Sequence, residues 1–190
     1  MRFPAYLLGG IIIHGVIIII RPATIDDVPG MATVRVTTWK QAYAGIVPAD
    51  FLNNLSIERN IEGWRKNLFL QPDPNDVRFV AERDTGQIVG FAIGGAERDG
   101  DPEYHAEIYA IYILPEYHRQ GIGRQLIQNS VAALKDKGFS NLIIWALTEN
   151  PNVEFYITLG GKPLRHKQQE IGGKILPETG FVWDTLDILL

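Results

Sequence analysis

Two glycines one residue apart, Gly121 and Gly123, stand between an apolar run that ends at Ile113 and an amphipathic run that follows, with Arg119 and Arg124 on either side of them. A strand that turns directly into a helix at such glycines presents successive backbone N–H groups at the positive end of the helix dipole, an arrangement that binds phosphate oxygens. The missing side chains let an anion approach the backbone. A Gly-x-Gly turn is weak evidence alone, because a tight strand–helix connection needs the same residues. Two other phosphate motifs fail in detail. A dinucleotide fingerprint requires a third glycine where Leu126 stands, and a P-loop requires Gly-Lys-Ser/Thr, which the chain lacks.

Wider blocks add specificity. The segment 111–126 resembles the acyl-CoA-binding motif of the GCN5-related N-acetyltransferases (GNAT), in which Arg or Gln, two residues, Gly, one residue and then Gly or Ala grip the CoA pyrophosphate. The segment 149–161, with Asn150 and Asn152 before Phe155-Tyr156 and then Leu159-Gly160, is similar to the later motif of that family. The opening Ile20-Arg21-Pro22-Ala23-Thr24, and Trp39 and Tyr43 before Gly45 and Pro48, resemble one branch of it. The resemblance runs from about residue 17 to the end, with its blocks in the right order. It departs at His118, where the family usually carries Arg or Gln, although Arg119 follows immediately.

The resemblance implies an acetyl-CoA-dependent transfer to a primary amine of a small molecule or peptide, by direct attack in a ternary complex. The amine attacks the thioester carbonyl, a tetrahedral intermediate forms, and CoA thiolate leaves. An ammonium must lose a proton, an oxyanion must be stabilised, and the thiolate leaves more easily when protonated. On the family pattern Glu107 is the base and Tyr156 the acid. Strand alternation puts Glu107, Tyr109, Ile111 and Ile113 on one face. The resemblance places the main chains of Ile111, Tyr112 and Ile113 beside the pantetheine arm, with the N–H of Ile111 as the expected oxyanion donor. His118, Arg119, Gln120, Gly121, Ile122, Gly123 and Arg124 surround the pyrophosphate, and Asn150 contacts CoA. Trp39 and Tyr43 are expected at the acceptor amine. The co-substrate is acetyl-CoA, and no metal is expected. The alternative is a non-catalytic acyl-CoA-binding sensor.

The elements that must position these groups follow from periodicity and turn residues. After Arg21-Pro22, Thr24 caps a helix through Val34, Trp39 and Tyr43, which Gly45 and Pro48 break. A second helical pattern covers residues 57–70. Strands are predicted at residues 77–82, 88–93 and 106–113, a helix at 121–137, a buried strand at 141–147 and a short helix at 153–159. Two last strands are predicted at 163–171 and 181–189. This order predicts an α/β fold with helices on both faces of a mixed sheet. The GNAT resemblance implies that the sheet is mostly antiparallel.

The 190 residues, 46% hydrophobic and 21% charged, suit one compact domain. A formal charge of −4 gives no global field for holding nucleic acid. The absence of cysteine excludes disulfides, thiolate metal sites and cysteine nucleophiles, and suits a reducing cytoplasm. Residues 1–20 are apolar, but Pro4, Gly9, Gly10, His14 and Gly15 interrupt them. A membrane segment needs about 20 apolar residues, and a secretory signal needs a small-residue cleavage site that is not visible here. The favoured reading makes residues 16–20 a first buried strand and residues 1–15 a dispensable extension, leaving one domain at 16–190. The expectation is therefore a cytoplasmic protein with no membrane or nucleic-acid partner, a homodimer being admitted.

Overall fold

The computed structural model describes residues 10–13 and 15–190. Its sheet has eight strands: β1 (Gly10–Ile13), β2 (Val16–Pro22), β3 (Val77–Arg83), β4 (Ile88–Ala96), β5 (Ala106–Ile113), β6 (Leu142–Leu147), β7 (Lys162–Ile171) and β8 (Lys174–Trp183). They lie in the order β1-β2-β3-β4-β5-β6-β8-β7. Every neighbouring pair is antiparallel except β5 and β6, which run parallel and share a single register pair, Glu107 with Ile143. Beyond that pair the two strands diverge, and the gap between them is the main opening in the sheet.

Five α-helices cover the sheet: α1 (Val28–Ala42), α2 (Ala49–Asn53), α3 (Ile57–Trp64), α4 (Ile122–Asp136) and α5 (Val153–Thr158). Alternation fixes which face each serves. Tyr112 packs on Phe91, and Phe91 meets Trp64 of α3 edge-on at 5.4 Å. Its neighbour Ile113 points the other way, so that a Cβ on Gly123 of α4 would lie 3.2 Å from Ile113 Cδ1. Helices α1 and α3 therefore lie on one face, α4 and α5 on the other. The core between them includes fully buried Ile18, Ile20, Phe91, Ile108, Leu126, Ile127 and Leu134. Leu126, Ile127, Val131 and Leu134 form the buried stripe that the periodicity of α4 anticipates.

Two expectations change, and the N-terminal boundary gains a structural setting. The predicted strand 181–189 is instead β8, which starts at residue 174 and gives way to a 3-10 turn at Leu186–Leu189. Gly172 and Gly173, both at positive φ, close a tight β7–β8 hairpin, and such a Gly-Gly turn commits the residues on both sides to pairing. The helical pattern 57–70 ends as a helix at Trp64 and continues through Arg65–Leu70 with π-type bonds. The boundary expected at residue 15 falls in the turn of a β1–β2 hairpin, and Ile11 packs against the main core. Residues 1–9 and 14 of the expected extension lie outside the described residues. No described helix is long and apolar enough to cross a membrane.

A bulge in β5 matters for the chemistry. The register with β4 shifts between Ile93–Ala110 and Gly94–Ile108, leaving Tyr109 as the extra residue. Gly94 and Gly95 accommodate it: a Cβ on Gly94 would lie 2.6 Å from the Glu107 carbonyl oxygen, and one on Gly95 would lie 2.4 Å from the Tyr109 hydroxyl. Replacing Gly94 with Ala is expected to lower stability by about 1–3 kcal/mol, because the contact is with backbone that has no rotamer to change. Urea denaturation checks this, and an unchanged midpoint would mean that the bulge adapts freely.

Candidate active site

At the end of β5 the chain passes through a 3-10 turn, Pro115–Tyr117, into the loop that starts α4. Arg119 takes φ 60°, the one non-glycine residue with positive φ among the described residues, and Gly121 caps the helix at φ 83°. This left-handed geometry swings the loop so that α4 begins facing the gap beside β5. The N–H groups of Ile122, Gly123 and Arg124 have no intrahelical acceptor, since the helix ladder starts with Gln125 N–H to the Gly121 carbonyl at 3.1 Å. Gly123 is required by close approach: its Cβ would lie 3.0 Å from the Phe155 ring. Arg119 and Arg124 are exposed beside this turn, and neither has a carboxylate partner among the described residues.

His118 is used differently from its neighbours. Its Nε2 lies 2.8 Å from the Ile113 carbonyl, so that nitrogen carries the proton and donates. The Thr38 hydroxyl donates to the same carbonyl at 3.4 Å. The imidazole thus braces the end of β5 against the turn. Gln120 donates to the Glu116 carbonyl at 3.0 Å, while its Oε1 is buried without a partner among the described residues.

The turn opens into a cavity of about 340 Å³ that lies in the gap between β5 and β6. Ile111, Tyr112, Ile113, His118, Arg119, Gly121, Ile122, Gly123, Arg124, Asn150, Tyr43 and Tyr156 all line it, so most of the residues singled out from the sequence meet in one space. Gln120, Trp39 and Glu107 are not among the residues that line it, although Trp39 packs edge-on against Tyr43, which does. Tyr156 is 7% exposed, its ring stacked on Phe181 at 5.1 Å and set against Phe155 at 5.4 Å. Its hydroxyl has no hydrogen-bond partner among the described residues, and burial pushes its pKa well above the usual phenol value. A phenol in that state remains a proton donor.

Glu107 lies elsewhere than alternation alone implies. The bulge at Tyr109 shifts the pleat by one residue, which puts Glu107 on the opposite face from Ile111 and Ile113. Its parallel partner Ile143 shares a face with Trp145, both within about 3 Å of a Cβ built on Gly180. Glu107 is 1% exposed, and Arg98 holds both its oxygens, Nη2 to Oε1 at 2.5 Å and Nε to Oε2 at 3.0 Å. Arg98 in turn lies over the Tyr109 ring at 4.1 Å. A buried carboxylate needs such a partner, and the bidentate fork fits it geometrically.

On this same face Trp39 meets Tyr43 edge-on at 5.0 Å and Phe51 at 6.0 Å. The Tyr43 hydroxyl accepts from Asn150 Nδ2 at 3.2 Å, while Asn150 Oδ1 accepts from the Asn152 N–H. The asparagine therefore ties the β6–α5 loop to α1. Sequence reading missed Arg98, Trp145 and, on β8, Glu178. The conspicuous arginine in the acidic stretch 97–103 and the lone tryptophan in an otherwise aliphatic strand were available signals for two of these. Among the described residues no group of three or more His, Cys, Asp or Glu side chains could hold a metal.

The two faces of the gap thus differ: an N–H-lined turn with two free arginines on one, aromatic rings and held carboxylates on the other. The model of the Acetyltransferase (GNAT) family matches residues 39–160. The uncharacterized N-acetyltransferase YuaI of Bacillus subtilis (strain 168) is 33% identical over 170 residues, which cover 90% of this chain and 95% of that protein. The spermidine N(1)-acetyltransferase of Thermoplasma acidophilum is 24% identical, over 75% of this chain and 87% of its own. The structure of yncA from Salmonella typhimurium with its cofactor acetyl-CoA superposes with a TM-score of 0.65 at 18% identity, over 90% of this chain and 94% of that one. With the family model matched over more than half its length and a relative at 33% identity along nearly all of it, the chain belongs to the GNAT acetyltransferase family.

Proposed function

We propose that the protein transfers the acetyl group of acetyl-CoA to a primary amine of a small molecule or peptide, the two substrates meeting in the gap between β5 and β6. One observation carries this reading: the unpaired N–H groups of the α4 turn and the unpartnered Tyr156 hydroxyl line the same cavity. Ile122, Gly123 and Arg124 N–H groups suit pyrophosphate oxygens, with Arg119 and Arg124 adding charge. The β5 main chain from Ile111 to Ile113 borders the path from that turn to Tyr156. The Ile113 carbonyl, already bonded to His118 and Thr38, contributes less than the residues before it.

Acetyl-CoA supplies an activated acyl group, and the protein has to manage one proton at each end of the exchange. Tyr156, protonated and free of other partners, donates to the departing sulfur. Glu107 receives the ammonium's proton through water, since Arg98 occupies both carboxylate oxygens. Tyr43, with Trp39 behind it, borders the acceptor side. The name of the Thermoplasma relative makes spermidine a first acceptor to assay.

Gly121→Val places a branched side chain at φ 83° in the turn, so CoA affinity measured by calorimetry should fall by about ten-fold or more while the fold persists. Unchanged affinity would put the CoA site elsewhere. Tyr156→Phe should leave CoA affinity nearly constant and lower turnover by about ten-fold or more, given that acid–base assistance is typically worth about 10²–10⁴ and a thiolate needs less help than most leaving groups. Glu107→Gln should lower turnover most at low pH, where free amine is scarcest. It should also lower the melting temperature, because Arg98 loses its charged partner. Turnover within about two-fold of the parent in both variants would show that positioning alone sets the rate.

A further inference from the structure

Glu178 of β8 is a half-buried carboxylate to which the reading above gives no task. Its strand register fixes its surroundings: it lies opposite Leu147 of β6 and Lys167 of β7, in the row next to Trp145 and Gly180. Side chains in adjacent rows on one face alternate by two, so Glu178, Lys167 and Trp145 share the face that carries Glu107. Trp145 lines the cavity, and its indole Nε1 is buried without a hydrogen-bond partner among the described residues. Tyr43 and Tyr112, which also line the cavity, are both pushed up in pKa mainly by burial; Glu178 adds a small push to each, which Arg35 opposes at Tyr112. The carboxylate therefore acts electrostatically on the aromatic side of the gap.

The partners of the two carboxylates on this face are unequal. Glu107 is clamped at both oxygens by Arg98, whereas Glu178 has only Lys167, with Nζ 3.7 Å from Oε2. Burial raises the Glu178 pKa and Lys167 only partly opposes the shift, as expected of an incompletely compensated carboxylate. Lys167 is itself divided: its ammonium lies 4.2 Å over the Trp145 ring and pairs more closely with Asp99. A primary ammonium belonging to the chain thus already rests against an aromatic face between two carboxylates. That is the environment which binds a primary ammonium from outside.

We propose that Glu178, with the face of Trp145, receives the ammonium of the acceptor, that Lys167 competes for this seat, and that the acceptors are primary amines without a carboxylate beside the amine. This rests on the acetyl-transfer reading and adds a specificity-determining residue to it. Glu178 and Asp99 both face the Lys167 ammonium, so an acceptor carboxylate at this seat is set against two carboxylates.

The test is direct binding, which needs no turnover. Spermidine and 2-phenylethylamine are titrated calorimetrically into the parent, Glu178→Gln and Lys167→Met, with 4-aminobutyrate and phenylalanine as carboxylate-bearing counterparts. At least one of the two carboxylate-free amines should bind the parent saturably. It should bind Glu178→Gln about ten- to hundred-fold more weakly, as loss of a charge-assisted contact implies, and Lys167→Met several-fold more tightly. The counterparts should show no saturable binding. Absence of binding of both amines to the parent, equal affinity in Glu178→Gln, or binding of the counterparts as tight as that of the amines would overturn the proposal. Should Glu178→Gln fold poorly, judged by its melting temperature, weaker or unchanged binding to Lys167→Met would overturn it. CoA titrated into the same samples separates the two readings: loss of CoA binding by the parent would overturn the acetyl-transfer reading, while the amine titrations still judge Glu178.

Discussion

The architecture depends on one pairing. Strands β5 and β6 run parallel and meet in register at Glu107 and Ile143, beyond which they separate. Continued pairing would close the sheet and leave no cavity. Divergence instead exposes the backbone of β5, a cost that the core packing on both faces must offset. The pair is held from both sides: β4 and β3 extend the sheet beyond β5, and the β8–β7 hairpin extends it beyond β6.

From that gap follows a division of labour between the faces. The α4 face carries the turn that ends β5, with free N–H groups, two unpaired arginines and Tyr156. The opposite face carries Tyr43, Tyr112, Trp145 and the carboxylates Glu107 and Glu178. The free N–H groups and the carboxylates are thereby separated by the thickness of the sheet, and the cavity between β5 and β6 is lined by residues of both faces. The charge pairs are arranged accordingly. Arg98 neutralises the deeply buried Glu107, and Arg165 holds Asp101 and Glu103 on the adjoining loop. Among these carboxylates Glu178 alone keeps a distant partner, Lys167 at 3.7 Å.

His118 illustrates how a departure from a family pattern can be absorbed locally. A phosphate site built from backbone N–H groups loses little when one side chain changes, because the donors belong to the helix terminus. The imidazole is free to take another task and caps the Ile113 carbonyl, which fixes the strand end from which the turn departs. Asn150 acts in a similar way, joining the β6–α5 loop to Tyr43 across 107 positions of sequence.

The sequence by itself determined the features that rest on local order. The Gly121 and Gly123 turn, the amphipathic stripe of α4 and the strand 106–113 are each set by residues within one or two turns of one another, so periodicity and turn chemistry reveal them, while the Phe155-Tyr156 block was marked by its resemblance to the family motif. The tertiary structure decided what depends on a partner strand. Whether Glu107 faces Ile111 or Trp145 is a matter of parity, and parity changes with a bulge that exists only because β4 offers Gly94 and Gly95 opposite Tyr109. The sequence reading began the last strand at residue 181 and so passed over the Gly172-Gly173 hairpin, and the neighbours of Glu178 followed only from the register of β8 against both β6 and β7. Long-range pairing brings residues 98, 107, 145, 167 and 178 onto one face, and no short window of sequence contains the distances that put them there.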